Sequence, residues 1–312
     1  MRVFVAGATG ALGRPLLGVL REAGHDVVGM TRSEHKTALL REAGAEPVVC
    51  DAFDRDAVRD AVAAARPDVV VHELTDIPDS IDPRKFEKQF ETTDRLRTEG
   101  TRNLVDAAVA AGARRIVAQS IAFAYEPGGE PAKTEEEPLF LDSPPPFRRS
   151  VHAIHELEGA VTGTAGIEGV VLRYGFFYGT GTAYAFDGSF GKAVRARRLP
   201  IVGRGSGVYS FIHVDDAARA TALAVERGTP GVYNVVDDEP ALVAEWLPLY
   251  AEALRAKPPR RAPAFLARLA AGRYGVYLMT GLRGASNAKA KRELGWEPRY
   301  PSWRQGFREA LG

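Results

Sequence analysis

Three glycines near the amino terminus have the spacing of a phosphate-binding loop. They lie in Gly7–Gly13 (Gly-Ala-Thr-Gly-Ala-Leu-Gly), between the apolar run 3–6 and a helical pattern. In this context glycine permits a tight turn, a close approach of the backbone to a diphosphate, and close packing of the helix against the strand. Backbone N–H groups and the helix dipole at Ala11 and Leu12 then stabilise the anion. The spacing therefore predicts a dinucleotide-binding loop.

The end of the second apolar run indicates which dinucleotide binds. A carboxylate there would bind free ribose hydroxyls, whereas Met30-Thr31-Arg32-Ser33 offers a guanidinium and two hydroxyls that suit a 2′-phosphate. We therefore predict NADP as the cofactor rather than NAD. The alternative for Arg32 is an ordinary charge beside a helix. Asp51, just past the third run, is placed to accept a hydrogen bond from the adenine amine, and its alternative role is a cap of the next helix.

The elements that must position these residues alternate along the first half of the chain. Short apolar runs without polar alternation are typical of strands covered on both faces, and helical patterns separate them. The predicted strands are 3–6, 27–30, 47–50, 69–72, 116–119 and 170–173, and the predicted helices are 11–23, 36–43, 54–64, about 83–111, and 149–162. This alternation predicts an α/β fold with a doubly wound parallel Rossmann-type sheet.

After residue 173 the sequence becomes rich in glycine and aromatic residues, which indicates a change of domain. We predict a dinucleotide-binding domain over 1–173 and a smaller, mainly substrate-binding C-terminal domain over 174–312 that partly returns to the sheet. The stretch 126–146 carries Pro, Gly and a run of Glu, so we predict a surface loop that folds over the cleft.

Composition excludes several classes of partner. Among the 312 residues, 41 Lys and Arg face 40 Asp and Glu, so the basic surplus that nucleic-acid binding needs is missing. No stretch approaches the ~20 apolar residues of a membrane helix, so we expect no membrane contact. The single cysteine, Cys50, excludes an internal disulfide, and the first strand begins directly after Met1, which leaves no room for a signal peptide. These features predict a cytoplasmic protein.

Three later motifs join the glycine loop in a family pattern: Gly203–Gly207, Phe211–Asp216 and Leu294–Pro298. With them the chain resembles, over essentially its whole length, the extended branch of the short-chain dehydrogenase/reductase superfamily, the NAD(P)-dependent epimerase/dehydratase-like proteins. The resemblance implies a seven-stranded sheet and a cleft with the nicotinamide at its floor. Members act as sugar epimerases and dehydratases or as ketone and aldehyde reductases. The cofactor-binding residues predicted from the loop and the resemblance are Gly7, Thr9, Gly10, Ala11, Leu12, Gly13, Thr31, Arg32, Ser33, Asp51, Ala52, Leu74, Thr75, Ser120, Tyr174 and Phe176.

The family's catalytic set begins with a Ser or Thr after the fifth strand, whose hydroxyl orients the substrate oxygen. Ser120 matches this element. A second alignment is open: if Tyr125 is taken as the tyrosine of the motif, the serine position falls on Ile121.

The family's proton donor is a Tyr-x-x-x-Lys on the next helix, often with an Asn on the fourth helix. The sequence contains no Tyr-x-x-x-Lys. The helix register puts Ser150 in the Tyr place, Ile154 in the Lys place and Arg97 at the Asn. The chain is therefore an atypical member.

Four side chains are candidates to replace the missing acid. Tyr125 leaves the fifth strand next to Ser120, His155 follows Ile154, and Tyr174 and Tyr178 are expected in the loop after the sixth strand. We favour the tyrosines, because one helical step turns His155 about 100° away from the Lys position. The alternative for each is a packed aromatic or a surface histidine. The predicted catalytic residues are Ser120, Tyr125, Tyr174 and His155.

Two histidines on the same helix, His152 and His155, with Glu156 and Glu158 nearby, suggest a metal site. We predict none, because their spacing differs from that of zinc motifs.

Aromatic residues of the second half predict an apolar substrate pocket. They are Phe176, Phe177, Tyr178, Phe186, Tyr209 and Phe211, and ordinary core filling is the alternative. The leading hypothesis is an NADP(H)-dependent oxidoreductase of the extended short-chain type that acts on a small apolar or aromatic carbonyl or alcohol. The alternatives are a catalytically silent NADP(H)-binding sensor and a redox-neutral epimerase or dehydratase. The fourth helix and the helix from Arg149 are candidates for a homodimer interface, and a buried core face is the alternative.

Overall fold

The computed structural model describes residues 1–78, 80–82 and 85–311. The strands are β1 (Arg2–Ala6), β2 (Asp26–Thr31), β3 (Glu46–Val49), β4 (Val69–His72), β5 (Arg115–Ile121), β6 (Ala132–Lys133), β7 (Glu168–Tyr174), β8 (Phe176–Tyr178), β9 (Ile201–Val202), β10 (Val208–Tyr209), β11 (Phe211–His213), β12 (Gly231–Val235), β13 (Ala241–Leu242), β14 (Arg261–Ala262) and β15 (Gly284–Ala285). The α-helices are α1 (Gly13–Glu22), α2 (Thr37–Glu42), α3 (Arg55–Ala65), α4 (Phe86–Arg95), α5 (Thr101–Ala110), α6 (Phe147–Gly163), α7 (Ser189–Arg195), α8 (Val214–Glu226), α9 (Val243–Ala253), α10 (Ala264–Thr280), α11 (Ala288–Leu294) and α12 (Trp303–Leu311). A 3₁₀ turn covers Glu34–Lys36, and a π-helical segment, Leu96–Gly100, joins α4 to α5.

A seven-stranded parallel sheet forms the centre of the molecule. Its order is β3-β2-β1-β4-β5-β7-β12, and in β1 Val3 pairs with Val27 on one side and Val69 on the other. The six strands predicted from the apolar runs are confirmed, and so is the doubly wound Rossmann-type fold. The seventh strand, β12, comes from the second half of the chain and pairs with β7.

The apolar runs form central strands because both faces of the sheet are covered. In β1, Val3 and Val5 face a core that contains apolar residues of α1 and α8. Phe4 and Ala6 point to the other face, where α3, α5 and α6 pack. Successive side chains of a strand point to opposite faces, so both sets must be apolar.

The C-terminal half contains a separate core dominated by aromatic side chains. Its largest fully buried members include Trp246, Tyr250, Trp303 and Phe307. Two-residue and three-residue ladders connect its segments, and β8 pairs with β11 in parallel. The predicted loop 126–146 contains β6, which pairs with β15, so this segment is tied to the C-terminal half.

The helix predicted over about 83–111 is two α-helices joined by the π-helical segment. Its predicted first residue, Pro83, lies outside the described residues. Helix α1 begins at Gly13, since Ala11 and Leu12 belong to the glycine turn. The apolar faces of α5 and α6 are buried against the sheet, which accounts for their pattern without a second copy. The homodimer stays a prediction.

No helix in the described ranges is both long and apolar enough to cross a bilayer.

Candidate active site

The glycine loop has the geometry that a diphosphate requires. Gly7 adopts a φ of +92°, and a Cβ there would lie 2.5 Å from the carbonyl oxygen of Glu73. A Cβ on Gly13 would overlap the carbonyl oxygen of Gly7. Gly10 is exposed, and its N–H closes the turn to the Gly7 oxygen at 3.0 Å. Two glycines therefore permit the packing and the third leaves the outer side of the loop open, beside the first turn of α1, so these residues fit a dinucleotide.

The residues predicted to bind the adenosine end lie at the carboxyl ends of β2 and β3. Arg32 is exposed and donates to Asp76 Oδ1 at 3.1 Å, while the Thr31 hydroxyl accepts from the Ser33 N–H at 3.2 Å. Asp51 accepts from the Phe53 N–H at 3.0 Å.

The helix cap next to Asp51 is a different residue. Asp54 caps α3 by accepting from Ala57 N–H at 3.0 Å, so the capping role predicted as the alternative for Asp51 belongs to Asp54. The neighbouring Ala52 is buried, and its carbonyl accepts from Asn103 Nδ2 at 2.9 Å.

Beyond β4, Leu74 and Thr75 follow a buried pair of titratable groups. Burial lowers the pKa of His72 to about 4 and raises the pKa of Glu73 to about 8. The Tyr174 hydroxyl donates to Glu73 Oε1 at 3.1 Å and lies 2.7 Å from the Thr221 hydroxyl. This side of the site is therefore neutral near pH 7: the imidazole is unprotonated and the carboxyl is protonated.

Ser120 and Tyr125 belong to one buried network, here called the Glu158 network. The Ser120 hydroxyl donates to Glu158 Oε1 at 2.7 Å, and Arg173 holds the same carboxylate through Nε at 2.8 Å and Nη2 at 2.6 Å. Arg173 Nη1 also donates to the Tyr125 hydroxyl at 2.8 Å, and that hydroxyl donates to Asn234 Oδ1 at 2.6 Å. Every hydroxyl and charge in this chain of contacts is satisfied.

Three of the four tyrosine and histidine candidates lie apart from that network, and the first, Tyr174, bonds to Glu73 and Thr221 instead. His155 is exposed on α6. Tyr178 is buried against Phe307 at a ring distance of 5.2 Å, and its hydroxyl has no hydrogen-bond partner among the described residues. The catalytic roles of Ser120, Tyr125, Tyr174 and His155 stay predictions. Burial raises the pKa of Tyr125 to about 12, which opposes ionisation of its phenol.

On the substrate side, Phe176 lies between two other rings. Its ring stacks on Phe123 at 4.1 Å and on Tyr209 at 4.4 Å. Ile121, the residue after Ser120, packs on the same aromatic core. Successive side chains of a strand point to opposite faces. Ser120 therefore points towards Glu158 on α6, and Ile121 points towards the aromatic core.

A second buried polar group, here called the Asp94 cluster, lies where α4 meets α6. It consists of Asp94, Arg97 and Ser150, each no more than 3% exposed. The Ser150 hydroxyl donates to Asp94 Oδ2 at 3.1 Å, and Arg97 Nη1 lies 3.6 Å from Asp94 Oδ1. Arg97 and Ser150 are the residues that the register puts at the family's Asn and Tyr. The sequence analysis did not identify Asp94, although its position three residues before Arg97 puts both on one helix face.

The family follows from a comparison with known proteins. The profile of the NAD dependent epimerase/dehydratase family matches residues 3–235. The chain therefore belongs to this family, as the resemblance indicated, and is an NAD(P)-dependent oxidoreductase of the extended short-chain type. With the glycine loop described above, this membership indicates a nicotinamide dinucleotide cofactor and a small-molecule substrate.

Two curated relatives align over nearly their full lengths. A "3-diazoavenalumate denitrifying reductase" from Streptomyces sp is 50% identical over 98% of this chain and 99% of the relative. A "4-hydroxy-2-methyl-3-oxo-4-farnesyl-3,4-dihydroquinoline-1-oxide ketoreductase" from Stigmatella aurantiaca is 28% identical over 96% of this chain and 92% of the relative. Both are named as reductases, which favours an enzyme over a silent sensor.

Among solved structures, the UDP-glucose 4-epimerase of Thermus thermophilus, in complex with NAD, is similar over 100% of this chain and 98% of its own. The identity is 25% and the TM-score is 0.74. The fold is thus that of the epimerases.

Proposed function

We propose that this protein is an NADPH-dependent reductase that removes the diazo group from an aromatic carboxylate. The Streptomyces relative, named for a diazo-bearing carboxylate, supports this choice through its 50% identity over nearly the whole of both chains. When bound, the cofactor supplies a hydride, so that the carbon–nitrogen bond breaks, dinitrogen leaves with the former bonding pair, and a C–H bond forms at that carbon.

Ser150 and Ile154, the residues in the acid positions of the family, carry this proposal. Reduction of a ketone needs a proton for the alkoxide oxygen, and the Tyr-x-x-x-Lys of the family supplies it. A diazonium is already cationic, and hydride addition with loss of dinitrogen leaves a neutral product. Ser150 donates its hydrogen to Asp94 and Ile154 is fully buried and apolar, which suits a reaction without that proton transfer.

The aromatic side chains near Ile121 support an aromatic substrate. Phe123, Phe176 and Tyr209 form a stack of three rings, and a flat ring gains most from such neighbours. The polar members of the Asp94 cluster would then meet the substrate's polar substituents.

The test is a measurement of gas release. Purified protein, NADPH and an aryl diazonium carboxylate are expected to release dinitrogen and oxidise NADPH in a ratio of one to one, above a control without protein. With NADPH deuterated at C4, we expect deuterium at the carbon that carried the diazo group. Absence of protein-dependent dinitrogen release would contradict the proposal.

Ketone reduction is the second candidate function. The Stigmatella relative is a ketoreductase by name, and a small carbonyl substrate is what the sequence analysis predicted. NADPH oxidation with a panel of aromatic ketones, without any diazo compound, would favour this candidate. Wash-in of solvent isotope without net oxidation of NADPH would favour a redox-neutral epimerase.

We also propose NADPH rather than NADH as the preferred reductant. Arg32 follows β2, and its pair with Asp76 is exposed at 64% and 43% of the two side chains, so it contributes little and can be exchanged for a 2′-phosphate. Arg32→Ala is expected to weaken NADPH binding about tenfold or more and to leave NADH binding nearly unchanged. Arg59→Ala, which removes another exposed and paired arginine on α3, is the matched control. Equal NADPH affinity in wild type and Arg32→Ala would contradict the assignment.

A further inference from the structure

Arg97 is a buried cation with an incomplete set of partners. It is 3% exposed and lies in the π-helical segment between α4 and α5. Its Nε has no hydrogen-bond partner in the described part of the chain, and neither has Asp94 Oδ1, the oxygen nearest to it. The 3.6 Å between Arg97 Nη1 and that oxygen is too long for a hydrogen bond. π-Helical turns occur frequently at functional sites.

Two guanidinium groups share the Asp94 carboxylate. Arg149 Nε lies 3.9 Å from Asp94 Oδ2, and Ser150 donates to the same oxygen. Arg149 is half exposed and also faces Glu91 Oε1 at 3.9 Å, so water and a second carboxylate compensate its charge. Among the described residues, Arg97 is left with Asp94 alone, at a distance too long for a hydrogen bond.

The other titratable neighbours of Arg97 do not supply a negative charge. Burial raises the pKa of Tyr274 well above its usual value, so the phenol stays neutral. His72 is neutral as well, because burial lowers its pKa to about 4. An arginine cannot escape its charge by losing a proton at neutral pH. A buried and poorly paired charge costs stability, so its presence indicates a use.

We propose that Arg97 binds an anionic oxygen group of the substrate, a carboxylate or a phenolate. The inference rests on the proposed function, because the anion is taken to belong to the aromatic carboxylate that the enzyme reduces. Arg97 and Ser150 hold the register positions of the family's Asn and Tyr, so the bound anion lies beside the reacting ring. A guanidinium suits this role because its planar fork binds two oxygens at once. Arg97 thereby fixes the orientation of the ring for reduction.

The experiment measures binding of 4-hydroxycinnamate, an unreactive aromatic carboxylate, to the protein saturated with NADP⁺. Arg97→Met is expected to weaken binding about tenfold or more, which corresponds to the loss of a charge-assisted hydrogen bond. Arg97→Lys retains the charge but not the planar guanidinium, so its affinity for the probe is expected to lie between those of wild type and Arg97→Met. Arg149→Met removes the exposed arginine next to the same carboxylate and should change the affinity less than about twofold.

Two analogues distinguish the source of the anion. If the carboxylate binds Arg97, 4-hydroxycinnamamide loses affinity for the wild type and 4-methoxycinnamate retains it. If the phenolate binds, the result is reversed. In either case the Arg97→Met variant no longer discriminates between the probe and the weaker analogue.

A stability measurement separates ligand binding from a structural role. If Arg97 served only to neutralise Asp94, Arg97→Met would lower the unfolding temperature and Asp94→Asn with Arg97→Met would restore both the temperature and the affinity. The proposal instead requires that the double variant fold and still bind weakly. Equal probe affinity in wild type and Arg97→Met, or no binding of any aromatic carboxylate by wild type, would overturn it. The probe carries no diazo group, so its binding does not depend on the proposed reaction. If the protein released no dinitrogen but still bound the probe through Arg97, only the proposed reaction would be contradicted.

Discussion

Two arginines, Arg173 and Arg97, are both buried beside helix α6 but differ in how their charges are paired. Arg173 holds Glu158 with two short hydrogen bonds and Tyr125 with a third. In the described part of the chain, Arg97 has one carboxylate, that of Asp94 at 3.6 Å, which it shares with Arg149. Burial alone lowers the pKa of both groups, but Glu158 raises that of Arg173 above its ordinary value, whereas the pKa of Arg97 stays below it. A saturated buried ion holds the fold together, and an unsaturated one is available to a ligand.

The largest effect that separates the two is expected in stability. Arg173→Met leaves Glu158 buried without a counter-ion, so the free energy of unfolding should fall by about 3–5 kcal/mol. Arg97→Met should cost less than a third of this, because its pairing is already poor. Urea unfolding of both variants measures the difference. Equal losses would remove the distinction between the two arginines.

Glu73, a buried carboxyl without a paired cation among the described residues, sharpens the comparison, because it can lose its charge by protonation and an arginine cannot. The folded-state pKa of Glu73 is raised to about 8 from its usual 4.5 by burial. Its contribution to stability is therefore complete below about pH 4.5 and is lost as the pH rises towards 8, at about 1.4 kcal/mol per pH unit.

Glu73→Gln keeps the acceptor for Tyr174 and removes the titration. We expect unfolding temperatures close to wild type near pH 5 and higher than wild type at pH 8. Glu87→Gln, an exposed change on α4, is the control and should follow wild type. If the unfolding temperatures of wild type and Glu73→Gln changed with pH in parallel, a raised pKa of Glu73 would be excluded.

A smaller effect on stability is expected in the Glu158 network. Ser120→Ala removes a hydroxyl donor from the buried Glu158 carboxylate, which should lower the free energy of unfolding by about 1.5–3 kcal/mol. Chemical denaturation and steady-state kinetics are measured on the same preparation. A large fall in kcat with unchanged stability would instead support the catalytic role predicted from the sequence.

The smallest effect is expected in the Asp94 cluster. Ser150→Ala removes one donor from Asp94 and should change stability by about 0.5–1.5 kcal/mol. The carboxylate is then freer to pair with Arg97, so the affinity for 4-hydroxycinnamate should fall a few-fold. Unchanged affinity would indicate that Asp94 does not compete with the substrate anion.

The sheet could be predicted from the sequence because its signal is local. A strand covered on both faces needs four or five consecutive apolar residues, and runs such as 3–6 have no polar interruption. The return of β12 to this sheet could be expected only in general terms, since its pairing with β7 joins residues about 60 positions apart. The glycine loop could be predicted because the spacing of its glycines is a local signal, although the contact that excludes a Cβ at Gly7 is made by Glu73, just after β4.

The polar clusters could be predicted only in part because their contacts are not local. Ser120 and Glu158 were both noted from the sequence, yet their hydrogen bond joins a strand to a helix 38 residues later. Register placed Arg97 and Ser150 at family positions, but no pattern connects Asp94 to Ser150 across 56 residues. The raised pKa of Glu73 depends on burial, which one charged residue at a strand end does not reveal.

The wide turn at Leu96–Gly100 adds one residue between two otherwise regular stretches of helix. Before it, α4 directs Phe86 and Phe90 into the aromatic core, and after it, α5 directs Leu104 against the sheet. A π turn accommodates one residue more than an α turn. Deleting the single residue Thr98 would let an unbroken α-helix form while α4 and α5 keep nearly the same relative orientation, because roughly four residues of an α turn cover the same angle as about five of a π turn. The extra residue therefore widens the backbone beside Arg97 without redirecting either helix.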